Sequence, residues 1–136
     1  MKKIGVVGAG MMGAEIALGF AQAGFETVLS DITAELAQRG KEKQRGILDK
    51  RVNKEKLTLE DAAHILSRVR PSADLQNMRD CDLIVEAASE RLEIKQGIFK
   101  QLNEICKELP SNRQSMLISA TLPSMLLEFS RAGLHD

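Results

Sequence analysis

The chain has 136 residues, of which 43% are apolar and 28% charged, so it can bury one sizeable core and is too short for two ordinary domains. Nineteen Lys and Arg residues balance nineteen Asp and Glu residues, and the resulting zero net charge argues against nucleic acid or an anionic membrane surface as a partner. The apolar run over residues 4–12 is short and glycine-rich, which argues against a membrane span or an export signal and favours a cytoplasmic protein.

The N-terminal segment has the pattern of a β-α-β unit. Residues 4–7 are rich in β-branched side chains and lead into a glycine cluster. Apolar residues from 16 to 23 then recur at the spacing of a helix packed on a sheet, and Gly24 ends that helix. Residues 27–30 form a second strand, so we predict that the unit extends from residue 1 to about residue 31.

Strands and helices alternate along the rest of the chain. A polar helix begins at Thr33 and runs to about residue 51, and a second polar helix, capped by Thr58, runs to about residue 66. The other predicted segments are strands at 69–71, 83–85 and 116–118 and helices at 92–105 and 125–129. Strands separated by helices of this length need right-handed parallel crossovers. We therefore predict an α/β, doubly wound parallel sheet, the Rossmann fold, in strand order 3-2-1-4-5 with a helical pair inserted after strand two.

The sequence Gly8-Ala9-Gly10-Met11-Met12-Gly13 lies between the first strand and the first helix. Gly8 permits the tight turn, Gly10 lets the backbone approach a pyrophosphate, and Gly13 lets the helix pack close to the strand. The pyrophosphate would be held by the free N–H groups and the dipole of the helix N-terminus, which includes Met11 and Met12. Because the motif follows a strand and begins a helix, it predicts a dinucleotide site.

Asp31 ends the second strand, eighteen positions after Gly13 (31 minus 13). A carboxylate at this position accepts hydrogen bonds from the adenine-ribose hydroxyls and repels a 2′-phosphate. No Lys or Arg follows in residues 32–34 to receive that phosphate. The predicted cofactor is therefore NAD rather than NADP; the alternative is that Asp31 only caps the following helix.

Several segments together resemble the 3-hydroxyacyl-CoA dehydrogenases, including the bacterial 3-hydroxybutyryl-CoA enzymes. They are the glycine motif, Phe-Ala-Gln-Ala-Gly at 20–24, Asp31, the charged helical pair, Asp-Cys-Asp-Leu-Ile-Val-Glu-Ala at 80–87 and Glu-Arg-Leu-Glu-Ile-Lys at 90–95. The resemblance extends from residue 1 to about residue 118. Its most specific part is 85–95, because generic Rossmann domains do not combine an acidic residue after strand four with a lysine five positions later.

The resemblance implies that residues 1–136 are the N-terminal, NAD-binding domain of an enzyme that oxidises 3-hydroxyacyl-CoA to 3-oxoacyl-CoA. By the same resemblance, Ala87, Glu90 and Lys95 belong to the cofactor site, with Glu90 and Lys95 beside the nicotinamide ribose. Residues 35 to about 66 would form the arm that covers the CoA moiety, and Lys54 would contact the CoA phosphates. Lys54 also lies among other basic residues, so a solvated charged surface is the alternative for it.

The sequence also departs from the family pattern. Residues 120–123 read Ala-Thr-Leu-Pro where the family has Asn-Thr-Ser-Ser, so the serine that helps to hold substrate is missing. We expect the family's catalytic His and Glu, and its helical C-terminal domain, beyond Asp136. His135 is near the place of the catalytic His but is one residue from the end of this sequence, where chains are usually frayed. His64 is expected at the surface. We therefore assign no catalytic residue and expect NAD(H) binding without turnover.

Two alternatives stay open at this stage. The chain is either a fragment or shortened homologue of a dehydrogenase, or a non-catalytic module that binds NAD(H), and an acyl-CoA, as a sensor or as the partner of a complementing chain. Homo-oligomerisation is undetermined. Cys81 and Cys106 lack metal-site spacing, so we expect reduced thiols, no disulfide and no metal.

Overall fold

The architecture is described from a computed structural model, for residues 2–88, 92–107 and 116–119. Its parallel strands are β1 (Lys3–Val7), β2 (Glu26–Ser30), β3 (Val69–Ser72), β4 (Leu83–Glu86) and β5 (Met116–Ser119). They pair in the order β3-β2-β1-β4-β5, all in parallel. The predicted doubly wound fold and its strand order are therefore confirmed.

Helices connect the strands. They are α1 (Met11–Gln22), α2 (Ala34–Asn53), α3 (Leu59–Ser67) and α4 (Leu92–Lys107), with a short 3₁₀ helix at Leu75–Met78. The Thr58 hydroxyl accepts the Asp61 N–H at 3.1 Å, which confirms the predicted cap of α3. The Thr33 hydroxyl accepts the Leu36 N–H at 3.1 Å and caps α2 in the same way. Among the helices described, none is both long enough and apolar enough to cross a membrane. The predicted helix at 125–129 lies outside the described residues.

The helical pair α2 and α3 packs on the sheet instead of standing away from it. The pair is polar on most faces, but one stripe is buried: Ala37, Gly40, Gln44 and Leu48 on α2 and Ala62 and Ile65 on α3. These side chains lie three or four residues apart, which is the spacing of one helix face. Several of them join the core that α1 forms with β1, β2 and β4. Both helices of the predicted arm are therefore packed into the domain body.

A second core cluster covers the opposite face of the sheet. It contains Val7, Val28, Met78, Cys81, Ile84 and Leu102. Cys81 is buried, as expected for a reduced thiol in the core, whereas Cys106 is half-buried; no disulfide joins the two. With both faces covered, the carboxyl ends of the strands are the edge at which polar groups can gather.

Candidate functional site

Two of the three motif glycines are required by the packing of the protein itself. Gly8 has a φ of +107°, and a Cβ there would lie 2.5 Å from the Ala88 Cα atom. A Cβ on Gly13 would lie 1.7 Å from the Gly8 carbonyl oxygen. These two positions therefore exclude any side chain, because backbone atoms occupy the space.

Gly10 is different, because none of the described residues explains it. Its φ of −68° suits any residue, and a Cβ there would meet no atom of residues 2–88, 92–107 or 116–119 within 4 Å. Gly10 is the N-cap of α1, where no side chain caps the helix, and the first turn of this helix contains no acidic residue. The first N–H groups of a helix lack intrahelical acceptors. An open, uncapped helix N-terminus of this kind fits a bound anion.

Met11 and Met12 begin α1 beside this opening. Their side chains are 56% and 53% exposed, unusually high for such large apolar groups. The sequence predicted both as cofactor-binding positions. Their exposure at the helix N-terminus is compatible with a ligand that covers them.

Asp31 lies at the end of β2, beside the glycine turn. Its Oδ2 accepts the Ala9 N–H at 2.8 Å, and its Oδ1 accepts the Ile32 N–H at 2.7 Å. The alternative that Asp31 serves only as the cap of α2 is wrong, because Thr33 is the N-cap of that helix. The half-buried carboxylate keeps lone pairs for further donors, such as ribose hydroxyls.

A cavity of about 840 Å³ opens at the carboxyl ends of β1 and β2. Its lining includes Gly8, Asp31, Ile32, Leu75, Ala88 and Ile98. Ile32 is 84% exposed, so a large apolar side chain faces solvent next to the Asp31 carboxylate. An apolar wall beside a hydrogen-bond acceptor suits a flat base attached to a ribose.

The segment after β4 forms the opposite wall. The Ala87 N–H donates to the Val7 carbonyl at 2.8 Å, and the Ala88 N–H donates to Glu86 Oε2 at 2.7 Å. Glu86 Oε1 in turn accepts from the Lys95 ammonium on α4, at 2.5 Å. Both charged side chains are buried, with Lys95 1% exposed and Glu86 fully enclosed. The ion pair therefore ties α4 to the wall of the cavity.

The sequence did not predict this role for Glu86. The available signal was an acidic residue at the end of a continuous apolar strand, at the sheet edge where functional groups gather. Lys95, predicted beside the nicotinamide ribose, is held by Glu86, and its contact with the cofactor stays a prediction. Glu90 lies outside the described residues.

The remaining candidate residues do not join the site. Lys54 is exposed at the far end of α2, whose 20 residues span about 30 Å, while the near end follows Asp31. His64 is exposed on α3, as predicted for a surface residue. Residues 120–123 and His135 lie outside the described residues.

Comparison with known proteins agrees with this geometry. The family model described as the NAD binding domain of 3-hydroxyacyl-CoA dehydrogenase matches residues 3–130. A Deinococcus radiodurans protein named as a probable 3-hydroxybutyryl-CoA dehydrogenase is 44% identical over 98% of this chain, which corresponds to 49% of that protein. The 3-hydroxyadipyl-CoA dehydrogenase of Escherichia coli is 38% identical over 99% of this chain and 29% of its own length.

A solved structure gives the same result. The (S)-3-hydroxybutyryl-CoA dehydrogenase of Ralstonia eutropha superposes with a TM-score of 0.80 at 34% identity, over 88% of this chain and 40% of the other. This chain thus spans half or less of the length of the relatives named above. It belongs to the 3-hydroxyacyl-CoA dehydrogenase family and corresponds to its NAD-binding domain.

Proposed function

We propose that the chain supplies the NAD half of a dehydrogenase that oxidises 3-hydroxyacyl-CoA to 3-oxoacyl-CoA. In that reaction NAD⁺ accepts a hydride from the hydroxyl-bearing carbon, and the hydroxyl proton is lost. The 136 residues bind and orient the dinucleotide. The base that removes the proton and most of the acyl-CoA site would come from residues outside this segment.

The single observation that carries the proposal is the open space at Gly10. Gly8 and Gly13 are explained by backbone packing, but a Cβ at Gly10 would meet no atom within 4 Å in the part of the chain that the structure describes. A ligand that passes close to the Gly10 backbone explains the glycine, and a pyrophosphate on the N-terminus of α1 is the group that the helix favours there.

Asp31 supports the choice of NAD. With one oxygen bound to the Ala9 N–H, its carboxylate is fixed beside the cavity and cannot swing away from a ribose placed there. The 2′- and 3′-hydroxyls would donate to it, whereas a 2′-phosphate would meet a like charge. We also propose contacts of the dinucleotide with Met11 and Met12 at the N-terminus of α1 and with Ala87 in the segment after β4.

The family resemblance adds Glu90 and Lys95 beside the nicotinamide ribose. Lys95 supports this placement through Glu86, whose carboxylate joins the lysine to the Ala88 N–H in the cavity wall. It also adds Lys54 as a cation for the CoA phosphates. Lys54 is exposed at the end of a helix whose last turn contains Lys50 and Arg51, so the local positive charge exceeds that of one lysine and is compatible with an anionic ligand.

A second candidate is a module that binds NAD(H) without catalysis, either as a sensor or as one chain of a split enzyme. The observation that favours it is the sequence Ala-Thr-Leu-Pro at 120–123, in place of the family's serine-containing segment. Both candidates need the same dinucleotide site and expect no turnover by this chain alone; they differ in whether the chain is part of a longer dehydrogenase that turns over.

The experiment is a pair of measurements on the 136-residue chain. A fluorescence titration with NADH is expected to show saturable binding at one site per chain. A spectrophotometric assay with 3-hydroxybutyryl-CoA and NAD⁺ is expected to show no rate above the uncatalysed background. Turnover by the chain alone would contradict the proposed division of labour, and absence of NADH binding would contradict the proposed site.

A further inference from the structure

Helix α2 contacts the glycine turn directly, through a glycine outside the dinucleotide motif. Gly40 is buried on α2, and a Cβ there would lie 2.7 Å from the Ala9 Cβ and 3.0 Å from the Ala9 carbonyl oxygen. It would also lie 2.8 Å from a Leu29 methyl carbon. Ala9 Cβ moves only with its backbone, so any side chain at position 40 would push against the turn itself.

Ala9 is held from its other side by the proposed ribose ligand. Its N–H donates to Asp31 Oδ2 at 2.8 Å, and its side chain is 3% exposed. Ala9 also lies between Gly8 and Gly10 in the chain. Its backbone is therefore fixed between α2 and the Asp31 carboxylate, and this fixes the turn that would receive the pyrophosphate.

One helical turn beyond Gly40, Gln44 fixes the position of α2 against α1. Its side chain is fully buried, and its Nε2 donates to the Ala14 carbonyl at 2.9 Å, in the first turn of α1. Gly40 and Gln44 thus lie on the same face of α2 and contact adjacent parts of the glycine turn and α1. The helix cannot move away from the turn without breaking a buried hydrogen bond.

We propose that Gly40 is a positioning residue of the dinucleotide site. By lacking a side chain it lets α2 pack onto Ala9, and this packing sets the position of the Gly8 to Gly10 backbone relative to Asp31. The inference rests on the proposed function, since it assumes that this turn receives the dinucleotide. It also makes the first half of the arm a part of the cofactor site.

The test is Gly40→Ala, compared with Gly46→Ala on the same helix. Gly46 is exposed, and a Cβ there would meet nothing within 4 Å. We expect Gly40→Ala to raise the Kd for NADH by about tenfold, because overpacking shifts backbone and binding depends steeply on placement. Gly46→Ala is expected to leave the Kd unchanged and to raise the Tm slightly. An unchanged Kd in folded Gly40→Ala would overturn the inference.

A second variant separates positioning from general damage. Ala9→Gly removes the nearest of the three atoms that a Cβ at position 40 would meet, and the Leu29 methyl group lies at the end of a flexible side chain. The Gly40→Ala, Ala9→Gly double variant is therefore expected to bind NADH within about threefold of Ala9→Gly alone. If Gly40→Ala acted only by a general loss of stability, its effect on the Kd for NADH would add to that of Ala9→Gly. Additive effects on the Kd would overturn the proposal. If Gly40→Ala fails to fold, recovery of fold and binding in the double variant supports the inference, and failure of both variants to fold contradicts it.

The same titrations keep this inference distinct from the proposed function. If Gly10→Ala weakens NADH binding and Gly40→Ala does not, only the role of Gly40 fails. If neither the unmodified chain nor any variant binds NADH, the dinucleotide site itself fails, and the role of Gly40 fails with it.

Discussion

Replacing Gly10 by alanine separates ligand binding from folding more cleanly than any other change in the motif. The backbone at Gly10 is compatible with alanine, since φ is −68°, and among the described residues the new methyl group would meet no atom within 4 Å. The gain from a stiffer unfolded chain, about 0.4–1 kcal/mol, is offset by the weakness of alanine as an N-cap, which costs a similar amount. The free energy of unfolding should therefore change by less than about 1 kcal/mol.

The effect on NADH binding should be much larger. The new methyl group would occupy the space through which the pyrophosphate approaches the first turn of α1, and its N–H groups would lose close contact with the phosphate oxygens. We expect the Kd for NADH to rise by about 10- to 100-fold, which corresponds to about 1.4–2.7 kcal/mol. Urea unfolding and an NADH titration of the same preparation measure the two effects, with Gly46→Ala as the matched control. An unchanged Kd for NADH, or a loss of stability as large as the loss of binding energy, would contradict a pyrophosphate close to the Gly10 backbone.

Three further predictions follow from the contacts of the site. Asp31→Ala should weaken NADH binding and narrow the preference for NADH over NADPH, because it removes both the acceptor for the ribose hydroxyls and the charge that repels a 2′-phosphate. Parallel titrations with both dinucleotides measure the two affinities, and unchanged affinities would show that Asp31 is not in the site. Lys95→Met should lower the free energy of unfolding in urea by about 3–5 kcal/mol, because it removes the ammonium from a buried ion pair with Glu86. The matched change at Lys107, which pairs with Glu104 at the surface, should cost less than about 1 kcal/mol. Gly13→Ala should strongly lower the free energy of unfolding in urea, in contrast to Gly10→Ala, because its Cβ would overlap the Gly8 carbonyl oxygen. A Gly13→Ala variant as stable as the unmodified chain would contradict the packing described for the turn.

Local patterns were sufficient to predict the fold. The β-branched run of β1, the glycines after it and the helical spacing that follows are all encoded within a few neighbouring residues, so the β-α-β unit is readable directly. The handedness of parallel crossovers then reduced the possible strand orders to a few, and the doubly wound order 3-2-1-4-5 was the one expected for a dinucleotide-binding fold. The start of α1 at Met11 was set by the glycine motif and not by the apolar spacing, which begins only at Ile16.

Pairings between distant residues could not be predicted in the same way. Gly40 resembles any helical glycine in the sequence, and only the crossing of α2 over the turn brings it to Ala9. Gln44 resembles a surface glutamine, although its amide is buried against α1. The Glu86–Lys95 pair combines a strand end with a helix face, so it depends on how α4 docks. Such contacts are set by packing, which a one-dimensional pattern does not contain.

The position of the dinucleotide can be measured directly by recording ¹H–¹⁵N spectra of the chain during an NADH titration. We expect saturable shifts in the amide signals of Gly10, Met11 and Met12, at the turn and the helix N-terminus, and of Ile32, on the ribose side of the cavity. The Gly46 amide, on the exposed face of α2, should not move. Saturable shifts confined to residues far from the glycine turn, or no saturable shifts at all, would contradict the assignment of the NAD site.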